Sequence, residues 1–130
     1  MRNDAPAIDD PAPLPVARAP GATASTDLAS THRNLAGAAR GLGSNWAGKL
    51  LGRPGGVGLK LFKVDAAGLA SEMHPAYDEA LLMLEGQAEL SIDGVRVALQ
   101  AGDLQVIPAG AWHEILPGGQ GSFLLVDPEP

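Results

Sequence analysis

Cysteine is absent from this chain. Disulfide frameworks and thiolate zinc sites are thereby excluded; a cytoplasmic location is expected, which the absence fits but does not by itself establish. No apolar run approaches membrane-spanning length, and the N-terminus lacks the basic-then-apolar order of a secretory signal. Positive charge is scarce: nine Lys and Arg stand against fifteen Asp and Glu, giving a net charge of −6. That balance disfavours nucleic acid and anionic membrane surfaces as partners. A sustained helical period is missing too. Histidine is limited to His32, His74 and His113, so any imidazole chemistry has few places to sit.

What is present divides into two textures. Residues 1 to about 30 are rich in Ala and Pro, with Pro6, Pro11, Pro13, Pro15 and Pro20 closely spaced. Too few large apolar groups occur there to offset the entropy of ordering, so a disordered tail is expected. Leu35, Ala36, Ala38 and Ala39 allow one or two helical turns, which Gly37, Gly41 and Gly43 keep short. The expected organisation is a flexible tail over 1–43 with at most a short helix, then one folded domain over 44–130. Charge follows the same division. The tail carries four basic and four acidic groups, whereas 44–130 carries five basic and eleven acidic.

From residue 44 onward short apolar runs alternate with turn residues. Trp46 to Leu51 and Val57 to Val64 flank a Gly/Pro loop and read as antiparallel strands. Leu69 to His74 and Ala80 to Glu85 follow, the latter ending in a predicted tight turn at Gly86. Ala88, Leu90 and Ile92 alternate with polar residues up to Asp93-Gly94, a strong hairpin signal, and Val95, Val97 and Leu99 alternate on the return. Leu104 to Ile107, Trp112 to Leu116 and Ser122 to Val126 bring the count to about eight strands. Such spacing argues for an all-β antiparallel sandwich or barrel.

Two stretches carry the chemistry. The first, Glu72-Met-His74-Pro-Ala-Tyr77-Asp78-Glu79, precedes an apolar run to Gly86. Glu72 and His74 are two apart, so on an extended chain both leave the same face. Glu79 heads the row of Leu81 and Met83, a costly place for a carboxylate unless something positive meets it. The second stretch runs Gly102, Pro108, Gly110, His113. Two imidazoles with one or two carboxylates suit a borderline divalent cation. The alternative is that both histidines are hydrogen-bonded structural residues and Glu79 caps a turn. Three roles are open to Glu72: ligand, general base beside a metal, or solvent-facing residue. Asp78 reads as a turn residue.

These stretches resemble the paired motifs of the cupin superfamily. His74, four residues, Glu79, six residues and Gly86 match the end of the first motif. Gly102, five residues, Pro108-x-Gly110, two residues and His113 match the second, with fifteen residues between the motifs. Glu72 stands where the family usually has its first histidine, and Pro117 where it often has Asn. The resemblance spans residues 44 to 127 and implies a double-stranded β-helix, or jelly-roll barrel. It implies a divalent ion (Mn, Fe, Ni or Zn) at Glu72, His74, Glu79 and His113. It also implies a small-molecule ligand or substrate and a homodimer. Oxygenase, isomerase or lyase chemistry and non-catalytic binding both fit such a site, with Glu72 and Tyr77 as the catalytic candidates. Leu59, Leu61, Leu81, Met83, Val106, Ile115 and Phe123 are the expected apolar lining. With Arg53 and Arg96 not clearly inward, no cationic clamp is expected, which favours a neutral ligand. Phe62 and Leu82 are expected on the outer face, where a partner copy would cover them.

Overall fold

The computed structural model describes residues 32–43 and 47–129. Among the described residues, those from Arg33 onward form one compact unit. Residues 1–31 of the expected tail, Trp46 and the start of the first expected strand lie outside the described residues. A six-residue helix, α1 (Leu35–Arg40), is capped by Asn34, whose side chain accepts from Gly37 N–H. Eight strands follow: β1 (Lys49–Gly52), β2 (Gly58–Lys63), β3 (Leu69–Glu72), β4 (Glu79–Ile92), β5 (Val95–Gln100), β6 (Leu104–Ile107), β7 (His113–Ile115) and β8 (Gln120–Asp127). Every pairing is antiparallel. The all-β curled sheet expected from the strand spacing is what forms.

β4 holds the two halves together. Its first part, Ala80 to Leu82, pairs with β6 on one edge and β8 on the other. Its last part, Leu90 to Ile92, pairs with β5 and β7. One sheet therefore runs β1-β2-β8-β4-β6 and the other β5-β4-β7-β3, sharing the bent strand. The tight turn expected at Gly86 does not form: the strand runs through. The reason is a bulge, where Met83 pairs with Phe123 but Glu85 pairs with Ser122. Inward parity switches across it, from Glu79, Leu81 and Met83 to Ala88 and Leu90. The extra residue keeps apolar side chains inside both sheets although their sequence parity differs.

Gly86 makes the bend possible. Its φ is 77°, and a Cβ there would overlap the Gln120 carbonyl oxygen of the opposite strand. Gly86→Ala is expected to cost about 1–3 kcal/mol through backbone strain alone, and more through that overlap. Chemical denaturation of the variant should show the loss as a lower midpoint. At the other end, Asp93 (φ 47°) and Gly94 (φ 83°) form the two-residue turn joining β4 to β5, as the Asp-Gly pair dictates.

The core contains Leu81, Met83, Leu90, Leu99, Ile115 and Phe123. Three expectations about lining are corrected. On β2 the inward row is Lys60 and Phe62, because β2 pairs with β8 in a register that sets Phe62 opposite Phe123. Phe62 stacks on Phe123 with ring centroids 5.3 Å apart. Leu59 and Leu61 consequently leave the other face, where Leu61 is fully buried but outside the core cluster. Val106 also points outward and is exposed. Both faces of β2 are apolar, so periodicity alone could not choose between them.

Candidate functional site

Local hydrogen bonds bring the two chemical stretches together. Gly110 N–H donates to the His74 carbonyl at 2.9 Å, and Ala109 N–H to Asp78 Oδ1 at 2.8 Å. Asp78 thus ties two distant loops, rather than closing only its own turn. Asp93 Oδ1 accepts from Trp112 N–H, and Asp93 N–H donates to the Trp112 carbonyl, which seats the start of β7. Glu72 and His113 are register partners on β3 and β7, so their side chains share the inward face. β3 ends at Glu72, two residues short of the expected strand, yet His74 still reaches the same point.

Glu72, His74, Glu79 and His113 converge there, each offering one donor atom, all within 4.8 Å of one another. His113 Nε2 lies 3.0 Å from Glu79 Oε1 and 3.5 Å from Glu72 Oε1. His74 Nε2 lies 3.5 Å from both Glu72 Oε1 and Glu79 Oε2. Glu79 and His113 are buried, whereas the Glu72 side chain is 44% exposed. Glu72 therefore faces the cluster and solvent at once.

The protonation pattern of the cluster is informative. His113 Nδ1 is 3.1 Å from the Ala111 carbonyl, which can only accept, so Nδ1 carries the proton of the neutral ring. Its Nε2 lone pair then faces the Glu79 carboxylate. Both Nε2 and Glu79 Oε2 are buried without a hydrogen-bond partner. Burial raises the Glu79 carboxyl above its ordinary value, with His113 and His74 opposing and Asp127 and Glu72 reinforcing the rise. Tyr77 bonds His74 Nδ1 at 2.9 Å and stacks on its ring. Its hydroxyl is pushed up to about 12, by burial first and then by the Glu129, Asp127, Glu79 and Glu72 carboxylates. Tyr77 is thus a positioning contact for His74 and a poor source of tyrosinate.

The cluster opens on a pocket of about 290 Å³. Phe62, Leu69, Leu81, Ile115, Phe123 and Leu125 form an apolar belt, and Lys60, Asp127 and Glu129 complete the wall. Lys60 and Asp127 escaped sequence reading. They overturn the expectation of a pocket without an inward cation. Only the pairing of β2 with β8 sets them side by side. Arg53 instead donates to the Glu129 carbonyl, and Arg96 lies near Glu89 at 3.7 Å. A groove of similar volume beside α1, lined by Arg40, Lys63, Glu85 and Ser122, shows no comparable donor cluster. Its close contact is the exposed Arg40–Glu85 ion pair at 2.7 Å, which is worth little.

Fold and site together place the molecule among small β-barrels with an inward His/Glu cluster. The cupin domain family model matches residues 60–127, just over half the chain, and the chain belongs to that family. No curated protein matches the sequence significantly. Known structures are similar across most of the barrel. A cupin-2 domain protein from Shewanella frigidimarina is 20% identical with a TM-score of 0.71, covering 78% of this chain and 99% of its own. Protein NMB1881 from Neisseria meningitidis is 21% identical at TM-score 0.65, covering 74% and 97%. KdgF from Halomonas sp. is 21% identical at TM-score 0.56, covering 64% and 78%. At such identities the likeness bears on fold alone. Among the described residues, no helix is long and apolar enough to cross a membrane.

Proposed function

We propose that this cupin binds a divalent cation through Glu72, His74, Glu79 and His113 and takes a small molecule in the adjoining pocket. One observation carries the reading. A buried imidazole lone pair faces a buried carboxylate, each with an unpartnered atom, inside a set of four converging donors. Without a cation or a shared proton between them, that arrangement is repulsive and poorly solvated. The neutral-imidazole and carboxylate set suits Mn, Fe, Ni or Zn. Ligation by His74 Nε2 requires that its Nδ1–H donate to the Tyr77 oxygen, the outer contact that fixes a ligating ring.

Bound there, a divalent ion supplies Lewis acidity toward a ligand oxygen, the chemistry common to oxygenase, isomerase and lyase reactions. In the alternative where His74, Glu79 and His113 alone hold the ion, Glu72, half in solvent, serves as the proton acceptor. Non-catalytic binding is the second reading. It is favoured by the Tyr77 hydroxyl, which is held against His74 and hard to ionise. Elemental analysis of untagged protein, after exchange against each metal, is expected to show about one equivalent bound. Glu72→His should retain the ion with altered preference; retention with an unchanged preference would contradict a ligand role for this position.

The working unit is proposed to be a cytoplasmic homodimer. Ala80, Leu82, Leu104, Val106, Leu124 and Val126 share the outer face of β6, β4 and β8. Leu104 and Val106 are 60% and 48% exposed. This replaces Phe62, which turns inward, as the support for association. Sedimentation at micromolar concentration should give twice 13.3 kDa, and Leu104→Glu should shift the protein to monomer.

A further inference from the structure

The inward lysine is built into the wall with some care. Lys60 Nζ donates to Asp127 Oδ1 at 2.8 Å, and its side chain is only 16% exposed. Asp127 is 1% exposed, and its other oxygen has no partner. Gly58, the register partner of Asp127, leaves room for the arrangement: a Cβ there would press on Lys60 Cε at 3.1 Å and on the Asp127 carbonyl at 3.2 Å. A buried ion pair of this kind is seldom worth its desolvation as a source of stability alone. The ammonium has three donors. Among the described residues one is used, and the next carboxylate, Glu129, stands at 3.7 Å, beyond hydrogen-bond reach. Two N–H groups are therefore available at the pocket wall.

Position matters as much as spare donors. β8 lies between β2 and β4, with Val126 opposite both Leu59 and Ala80. Lys60 is opposite Leu125, itself opposite Leu81, so Lys60 and Glu79 stand on one inner wall two strands and two residues apart, about 12 Å at the backbone. The Phe62–Phe123 stack and Leu125 lie on the same wall. Charge sorts the possible ligands. Glu72 and Glu79 balance a divalent ion, Asp127 balances Lys60, and Glu129 is half exposed and screened. With the ion in place the wall no longer repels an anion, and the two free ammonium donors attract one.

Resting on the reading of this pocket as a small-molecule site, we propose that Lys60, positioned by Asp127 and Gly58, is its specificity residue. The ligand class is a small organic acid whose carboxylate meets the ammonium and whose apolar body lies against Phe62 and Phe123. The test uses benzoate, benzyl alcohol and benzylamine, three probes with one ring and different charge, titrated into the zinc-loaded full chain by calorimetry. Benzoate should bind most tightly. Lys60→Met should weaken benzoate by at least about tenfold, the loss expected for a hydrogen bond to a charged group. It should leave benzyl alcohol within about twofold, and Lys60→Arg should recover part of the benzoate affinity. Since Lys60→Met strands a buried carboxylate, the double variant Lys60→Met/Asp127→Asn is measured beside it and should show the same selective loss. Equal weakening of benzoate and benzyl alcohol, or benzoate binding no tighter than benzyl alcohol, would overturn the proposal. Zinc titration of the same proteins separates the two readings. Absent zinc binding in wild type sinks the metal site; the benzoate preference, measured without metal as the ratio between wild type and the variants, still decides the role of Lys60.

Discussion

Replacing His113 with alanine is expected to abolish divalent-metal binding. The buried ring supplies a neutral Nε2 donor whose tautomer is set by the Ala111 carbonyl, and water in the vacated space replaces such a donor poorly. Losing a group that merely orients a ligand costs about 10–100-fold in metal affinity, so loss of the ligand itself should exceed that. The imidazole has a small structural role as well, since it is buried beside β3 and β4. The measurement is therefore metal titration by calorimetry, with circular dichroism confirming that the strand signal persists. Retained affinity in a folded variant would remove His113 from the metal site. Binding should also weaken on acidification, because a protonated imidazole cannot ligate.

Glu79→Gln should separate function from stability. Burial raises the folded-state pKa of Glu79. A carboxyl of this kind favours the folded state at low pH, where it is protonated in both states without penalty. As pH rises from the ordinary carboxylate value through the raised one, the unfolded chain ionises first and stability is lost. Above that window, the metal-free wild type carries a buried charge with one orphaned oxygen. Glutamine removes the charge, so above that window the metal-free variant should melt higher, by about 4–8 °C for each kcal/mol relieved. The gap should close on acidification below the window. Metal affinity should move oppositely, falling by at least ~100-fold. Thermal melts across pH, with and without metal, check both signs; a metal-free variant that is nowhere more stable than wild type above the carboxylate range would contradict this account of the site.

The cost at Glu79 also explains why this row reads as it does. Glu79 begins an inward row shared with Leu81 and Met83, so the strand's own alternation places a carboxylate in the core. Selection for folding alone would favour an apolar residue there. The same logic applies to Asp127, which continues the inward row of Phe123 and Leu125 on β8.

Much of this was legible in the residues themselves. Period-two alternation around Asp93-Gly94 specified that hairpin, since a two-residue turn with both φ positive leaves little choice of register. The spacing of His74, Glu79, Gly86, Gly102, Pro108, Gly110 and His113 was enough to recognise a cupin and to name four residues that prove to be neighbours. Those features are local, or depend on spacing within a motif. The β4 bulge, the inward turn of Phe62, the outward turn of Leu61 and Val106, and the Lys60–Asp127 pair were decided only in the tertiary structure. Each depends on which strand lies beside which, and in what register. A strand apolar on both faces, such as β2, carries no record of its own parity. Its partner β8 settles the matter, by setting Phe123 against Phe62 and Asp127 within reach of Lys60.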